Sequence, residues 1–259
     1  MTTFVWVAGS ALVIMIAIVM FWLLRREDDE PKPPALPPTA LPLQFLGRVV
    51  YGTAGHDHLR LSLDRRTFQS ASFVEITERL NRLTQARLPV VLAVTGAHES
   101  KEYAKVAGML AVTIARAGCS VVMVDTDLRS TAIEEVFGIE DAVGLTDVLA
   151  GVHPLDDALL SWGRELIEVL PNGMMPPDPS ELLESEQLRA FIAELRGRFD
   201  VVILHSSPIV GSDDCSQIVA LSDVVVLVTH DEQVALEDLA QAVDSLAAGR
   251  TAPLAYLTV

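Results

Sequence analysis

The sequence predicts an α/β fold, a doubly wound and mainly parallel sheet, preceded by one N-terminal transmembrane helix. Three observations carry this. Residues 90–94, 121–124, 201–204 and 224–228 are continuous apolar runs, the pattern of strands buried on both faces. Segments with the length and period of helices separate them, and that alternation builds parallel sheets with helices on both sides. Residues 4–24 carry no charge, and a helix rising about 1.5 Å per residue covers the roughly 30 Å hydrocarbon core over that length.

Taken in order, the apolar run has Trp6 and Trp22 near its two ends, and Arg25 and Arg26 follow it. A signal peptide would put its basic residues first and a small-residue cleavage site after. The positive-inside rule therefore sets the N-terminus outside and the rest in the cytoplasm, a single-pass arrangement in the inner membrane with residues 1–26 as anchor. Residues 27–45 hold Pro31, Pro33, Pro34, Pro37, Pro38 and Pro42, which favour polyproline II and a semi-rigid spacer. The domain is expected over 46–259. Residues 46–70 take no clear assignment; His56 and His58 flank Asp57 there, but no four-ligand set accompanies them.

A helix is expected over 72–88, with Phe73, Ile76, Leu80 and Leu83 on one face and Pro89 as its stop. The strand at 90–94 leads to a helix over 101–117 that Gly118 ends, and the strand at 121–124 runs into Asp125. A short strand is expected at 166–170. Asp178, Pro179 and Glu181 supply a cap, a proline in the first turn and an acid at its third position, for one helix running to Arg196. Strands follow at 201–204 and 224–228, then a helix over 232–248 and a last strand at 254–259.

Composition narrows the function. The net charge of −16 leaves no electrostatic footprint for nucleic acid. Cys119 and Cys215 stand far apart, in no metal-like spacing, and give no disulfide framework. In doubly wound sheets sites lie beyond the carboxyl ends of the strands, which directs attention to 95–104, 125–130, 205–214 and 229–233.

Those segments carry a resemblance. Asp125-x-Asp127-Leu128-Arg129 is similar to the D-x-D-L-R motif of the bacterial tyrosine kinases of capsule and exopolysaccharide export, which are related to the partition and septum-site P-loop ATPases. Residues 144–151, from Gly144 to Gly151, resemble G-L-S-x-x-L-x-G, and residues 176–183 resemble P-P-x-P-x-E-L-L. Phe199 and Asp200 open the strand that leads to the family's second acidic motif, and Asp214, Ser222 and Asp223 continue the pattern. The resemblance implies a P-loop NTPase-like fold over about residues 70 to 259.

Against that pattern the chain departs where the chemistry lies. A P-loop needs glycines for close backbone approach, a lysine for phosphate charge and a hydroxyl for Mg²⁺. In register with the family's T-S-A-x-P-G-E-G-K-[ST], Gly96, Glu99, Ser100, Lys101, Glu102, Tyr103 and Ala104 form a degenerate loop. Tyr103 stands at the lysine and Ala104 at the hydroxyl; Ser100 and Glu102 replace glycines. Lys101, two positions early, could swing inward as a partial substitute. His205 stands at the acid of the second motif. The family's ring-assembly motif E-x-x-R-x-x-R falls on Ala71, Val74 and Thr77. Asp125 and Asp127 alone remain as acids, with Arg129 or solvent to offset their repulsion.

These departures lead to an expectation of no catalytic residue, no cofactor and no metal, with Asp125 and Asp127 as the ligands if one binds. The favoured expectation is a membrane-tethered pseudokinase-like scaffold or regulator of polymerisation and chain length in exopolysaccharide or capsule biosynthesis. Its partner would be a polysaccharide co-polymerase or a glycosyltransferase. One alternative is a divergent ATP-binding tyrosine kinase or ATPase that uses Mg²⁺ and Lys101. The other is a partition-ATPase-like protein that positions cargo at the membrane.

Overall fold

The computed structural model describes residues 43–49, 68–85, 87–140, 142–163, 166–210, 213–229, 244 and 254–259. The expected span at 4–24, the linker up to residue 42, His56 and His58, and the helix at 232–248 lie outside the described residues. Among the described residues no helix is long and apolar enough to cross a membrane.

Strands β1 (Leu43–Arg48), β2 (Val90–Gly96), β3 (Val121–Asp125), β4 (Leu160–Trp162), β5 (Ile167–Leu170), β6 (Val201–His205), β7 (Val224–Thr229) and β8 (Leu254–Thr258) form one sheet. Their order is β1-β8-β7-β2-β6-β3-β5-β4. Every pairing is parallel except that of β4 with β5. The central strands are buried along their whole length, which is why their sequences are unbroken apolar runs rather than alternations.

Helices α1 (Phe68–Leu83), α2 (Glu102–Arg116) and α3 (Ala132–Phe137) cover one face, where Phe73, Ile76 and Leu80 of α1 meet Met109 and Leu110 of α2. The other face carries α4 (Leu145–Leu149), α5 (Leu155–Ala158), α6 (Pro179–Glu184), α7 (Glu186–Arg198) and α8 (Asp214–Ala220). Phe73 and Ile76 are almost wholly buried, and each such side chain contributes about 1.5–3 kcal/mol relative to exposure.

Four expectations are corrected. Residues 43–45, expected as linker, are the start of β1, which pairs with β8 from Leu43↔Leu254 to Arg48↔Thr258. The α1 helix ends at Leu83, not at Pro89, because Gln85 adopts the left-handed region at φ 55 and a left-handed residue ends helical hydrogen bonding. The single helix expected from Asp178 to Arg196 is two. Ser185 is extended at ψ 150 and its hydroxyl accepts the Leu188 N–H, starting α7 afresh. The Asp178 cap itself stands as expected, its carboxylate accepting the Glu181 N–H at 3.1 Å.

The residues that carry the third motif also have a local job. Gly144 sits so close to the 171–173 segment that a Cβ there would lie 2.3 Å from the Gly173 nitrogen. The Asp147 carboxylate accepts the Gly144 N–H at 3.0 Å, closing the first turn of α4.

Candidate functional site

The site lies at the carboxyl ends of β2, β3 and β6, where the parallel register sets Val94 beside His205 and His205 beside Asp125. Its first wall is the loop between β2 and α2. The loop ends against the helix with Tyr103 in the first turn, 4% exposed. Its ring lies directly over Gly96: a Cβ on that glycine would stand 1.8 Å from the phenol's Cζ. Only glycine fits beneath the ring. Burial raises the phenol's pKa, and a hydrogen bond from the backbone N–H of His98 opposes that rise. Ala104, next in the helix, is wholly buried in the α1–α2 layer.

The rest of the loop faces outward. Lys101 does not swing in; its ammonium pairs with Glu135 of α3, and its side chain is 66% exposed. Glu102 pairs with Lys105 at 2.6 Å and its N–H reaches the Ser100 hydroxyl. Glu99 is exposed. The nearest cation in sequence thus serves an ion pair on the surface.

The second wall is acidic and sealed. Asp125 is fully buried, and its Oδ1 takes both the Asp127 N–H at 3.0 Å and the His205 Nδ1 at 2.9 Å. The other carboxylate oxygen has no partner. Burial drives the Asp125 carboxyl upward in pKa, against the opposing pull of His205. Asp127 and Glu134 are raised for the same first reason, burial, with the charge of Asp125 adding to it. For His205, burial alone would lower the pKa; Asp125, Asp127 and Glu134 together outweigh it and raise it.

Arg129, expected to offset the two acids, does something else. Its Nε donates to Asp214 at the start of α8, 3.1 Å away, and Ser180 of α6 donates to the other oxygen of Asp214 at 2.6 Å. Asn172 donates to the Asp127 and Ser130 carbonyls and holds the 127–130 loop in place. Sequence reasoning missed Asn172, Ser180, Glu134 and the role of Asp214. Asp214 alone had a signal, its place in the family pattern.

The residues present do not fit a Mg²⁺–nucleotide in the P-loop manner. The phenol occupies the space above Gly96, an imidazole engages the carboxylate oxygen that a hydrated cation would use, and the loop presents no inward cation. Among the described residues no group of three or more His, Cys, Asp or Glu has an arrangement that could hold a metal ion.

Comparison with known proteins decides the ancestry. The chain is 31% identical to the tyrosine-protein kinase YwqD of Bacillus subtilis over 154 residues, covering 60% of this chain and 65% of that protein. Its homologues are bacterial tyrosine-protein kinases. The tyrosine-protein kinase wzc of Salmonella typhi is 32% identical over 126 residues, 49% of this chain but 18% of its own length. The chain therefore spans less than two thirds of each of these kinases. Among solved structures, the kinase domain of Escherichia coli tyrosine kinase ETK superposes with a TM-score of 0.72 at 24% identity, over 76% of this chain and 78% of that domain. That likeness shows the fold, a P-loop NTPase-like α/β sheet. No protein-family model matches the chain.

Proposed function

We propose that this chain is a membrane-tethered, catalytically inactive relative of the bacterial tyrosine kinases. Its role is to scaffold or regulate polymerisation and chain length in capsule or exopolysaccharide biosynthesis, against a co-polymerase or glycosyltransferase subunit. The observation that carries the inactive reading is the Tyr103 ring seated over Gly96. Phosphoryl transfer rests almost wholly on positioning and on charge neutralisation by lysine and metal. Here the lysine position is a buried aromatic, the hydroxyl position is Ala104, and the second acid is His205 paired to the first. The pathway and the partner rest on kinship with the kinases, and the tether on the uncharged run at 4–24 followed by Arg25 and Arg26.

The test is thermal unfolding with millimolar ATP and Mg²⁺. A ligand that binds only the native state stabilises it by about 2.7 kcal/mol at a hundredfold excess over Kd, so the reading expects no rise in Tm. A clear rise, lost in Lys101→Ala, would establish the alternative of a divergent ATP-binding kinase or ATPase. The scaffold reading adds that a folded Asp125→Asn, Asp127→Asn double variant complements a deletion strain for polysaccharide amount and chain length. For the tether, a reporter fused after residue 45 should work only if it is active in the cytoplasm.

A further inference from the structure

At the opposite end of the sheet from Tyr103 and His205, the amino ends of β2 and β6 and the C-terminus of α2 enclose a cavity of about 380 Å³ beneath α1. Its floor is aliphatic: Leu80, Leu92, Ile114 and Val201, all nearly inaccessible to solvent. Polar groups are few. Thr77 stands in the wall with a buried hydroxyl that has no hydrogen-bond partner. Glu78 is the one charged side chain in the lining, and Cys119 lines it from the turn before β3.

We propose that this cavity is a binding site for a small neutral amphiphile, a molecule with an aliphatic body and a single hydroxyl or carbonyl group. Three features set the class. The volume falls within the range of small-molecule sites, which are mostly apolar with a few placed polar groups. A buried hydroxyl without a partner costs about 1–3 kcal/mol, and a ligand hydroxyl or carbonyl would satisfy Thr77. Glu78 in the lining, with the Asp200 carboxylate close enough to raise the Cys119 pKa, disfavours an anionic head. An aliphatic carboxylate of the same length is therefore rejected where the alcohol is accepted. The site shares no residue with the degenerate phosphate loop and does not depend on whether nucleotide binds.

Cys119 supplies the readout. In the purified full-length chain, n-octanol slows alkylation of Cys119 by N-ethylmaleimide, about tenfold at ten times its Kd by mass action. Octanoate at the same concentration leaves the rate unchanged. Ala117→Leu, which adds bulk to the cavity wall, removes the protection. A failure of n-octanol to protect, equal protection by octanoate, or protection undiminished in Ala117→Leu would each overturn the proposal. Should that variant not fold, methyl chemical shifts of the wild type decide. Octanol-dependent shifts at Leu80, Leu92 and Ile114 support the site, and shifts confined elsewhere refute it.

Discussion

His205 Nδ1 and Asp125 Oδ1 stand 2.9 Å apart, both side chains closed off from solvent. The pair joins two strand ends eighty residues apart in sequence and makes stability depend on pH. His205, Asp125, Asp127 and Glu134 all have raised pKa values. Each holds its proton more tightly folded than unfolded, so the native state binds more protons and stability falls as pH rises. The contribution of His205 is complete below the ordinary histidine pKa of about 6.5 and is lost as pH climbs through the raised value. The acids act in the same direction, starting from about pH 4. Only Glu135 and Asp200 are lowered, and both are solvent-exposed. Tm measured against pH should therefore decline from mildly acidic to alkaline conditions. An Asp125→Asn, His205→Asn double variant, which keeps a neutral polar pair, should flatten that decline.

Gly96 and Tyr103 should be energetically coupled. Gly96→Ala puts a methyl group into the buried ring, an overpacking that costs about 1–3 kcal/mol. In a Tyr103→Ala background the same change should cost little. A double-mutant cycle by urea denaturation measures the coupling, and simple additivity would mean that the ring does not sit where the structure has it.

Arg129 ties three segments through Asp214. The arginine side chain is 53% exposed and the aspartate 6%, so water can replace part of what the guanidinium supplies. Arg129→Ala should cost about 1 kcal/mol in chemical denaturation, the scale of a half-exposed charged hydrogen bond. Asp214→Ala should cost more, because it also strands the Ser180 hydroxyl.

Ser185 separates α6 from α7 by capping the second helix. Ser185→Ala should lower stability by about 1 kcal/mol without changing the far-ultraviolet circular dichroism at low temperature. A gain in helicity would instead mean that the serine interrupts a helix the flanking residues prefer.

The strands that form the centre of the sheet were readable because burial on both faces writes itself as unbroken apolar runs, as at 90–94 and 224–228. The Asp178 cap was readable because its signal is local. β1 was not: Leu43 to Arg48 follow a proline-rich stretch, and their partner is more than two hundred residues away. The degenerate loop could be located by register with the kinase motifs, but not the posture of its side chains. That Lys101 turns to Glu135, that Arg129 turns to Asp214, and that His205 closes on Asp125 depend on which strands are neighbours. No spacing within a single segment encodes that.

The pairing of β1 with β8 has a consequence for the order of events during synthesis. Translation delivers Leu43–Arg48 early and Leu254–Thr258 more than two hundred residues later, at about 5–20 residues per second. For ten seconds or more the first strand has no neighbour to hydrogen-bond, and Phe45 lacks the Tyr256 ring it will lie against at 5.0 Å. The edge of the sheet is thus the last part of the domain to be completed on the ribosome. A nascent chain stalled short of Leu254 would present that strand as an open acceptor for a neighbouring polypeptide.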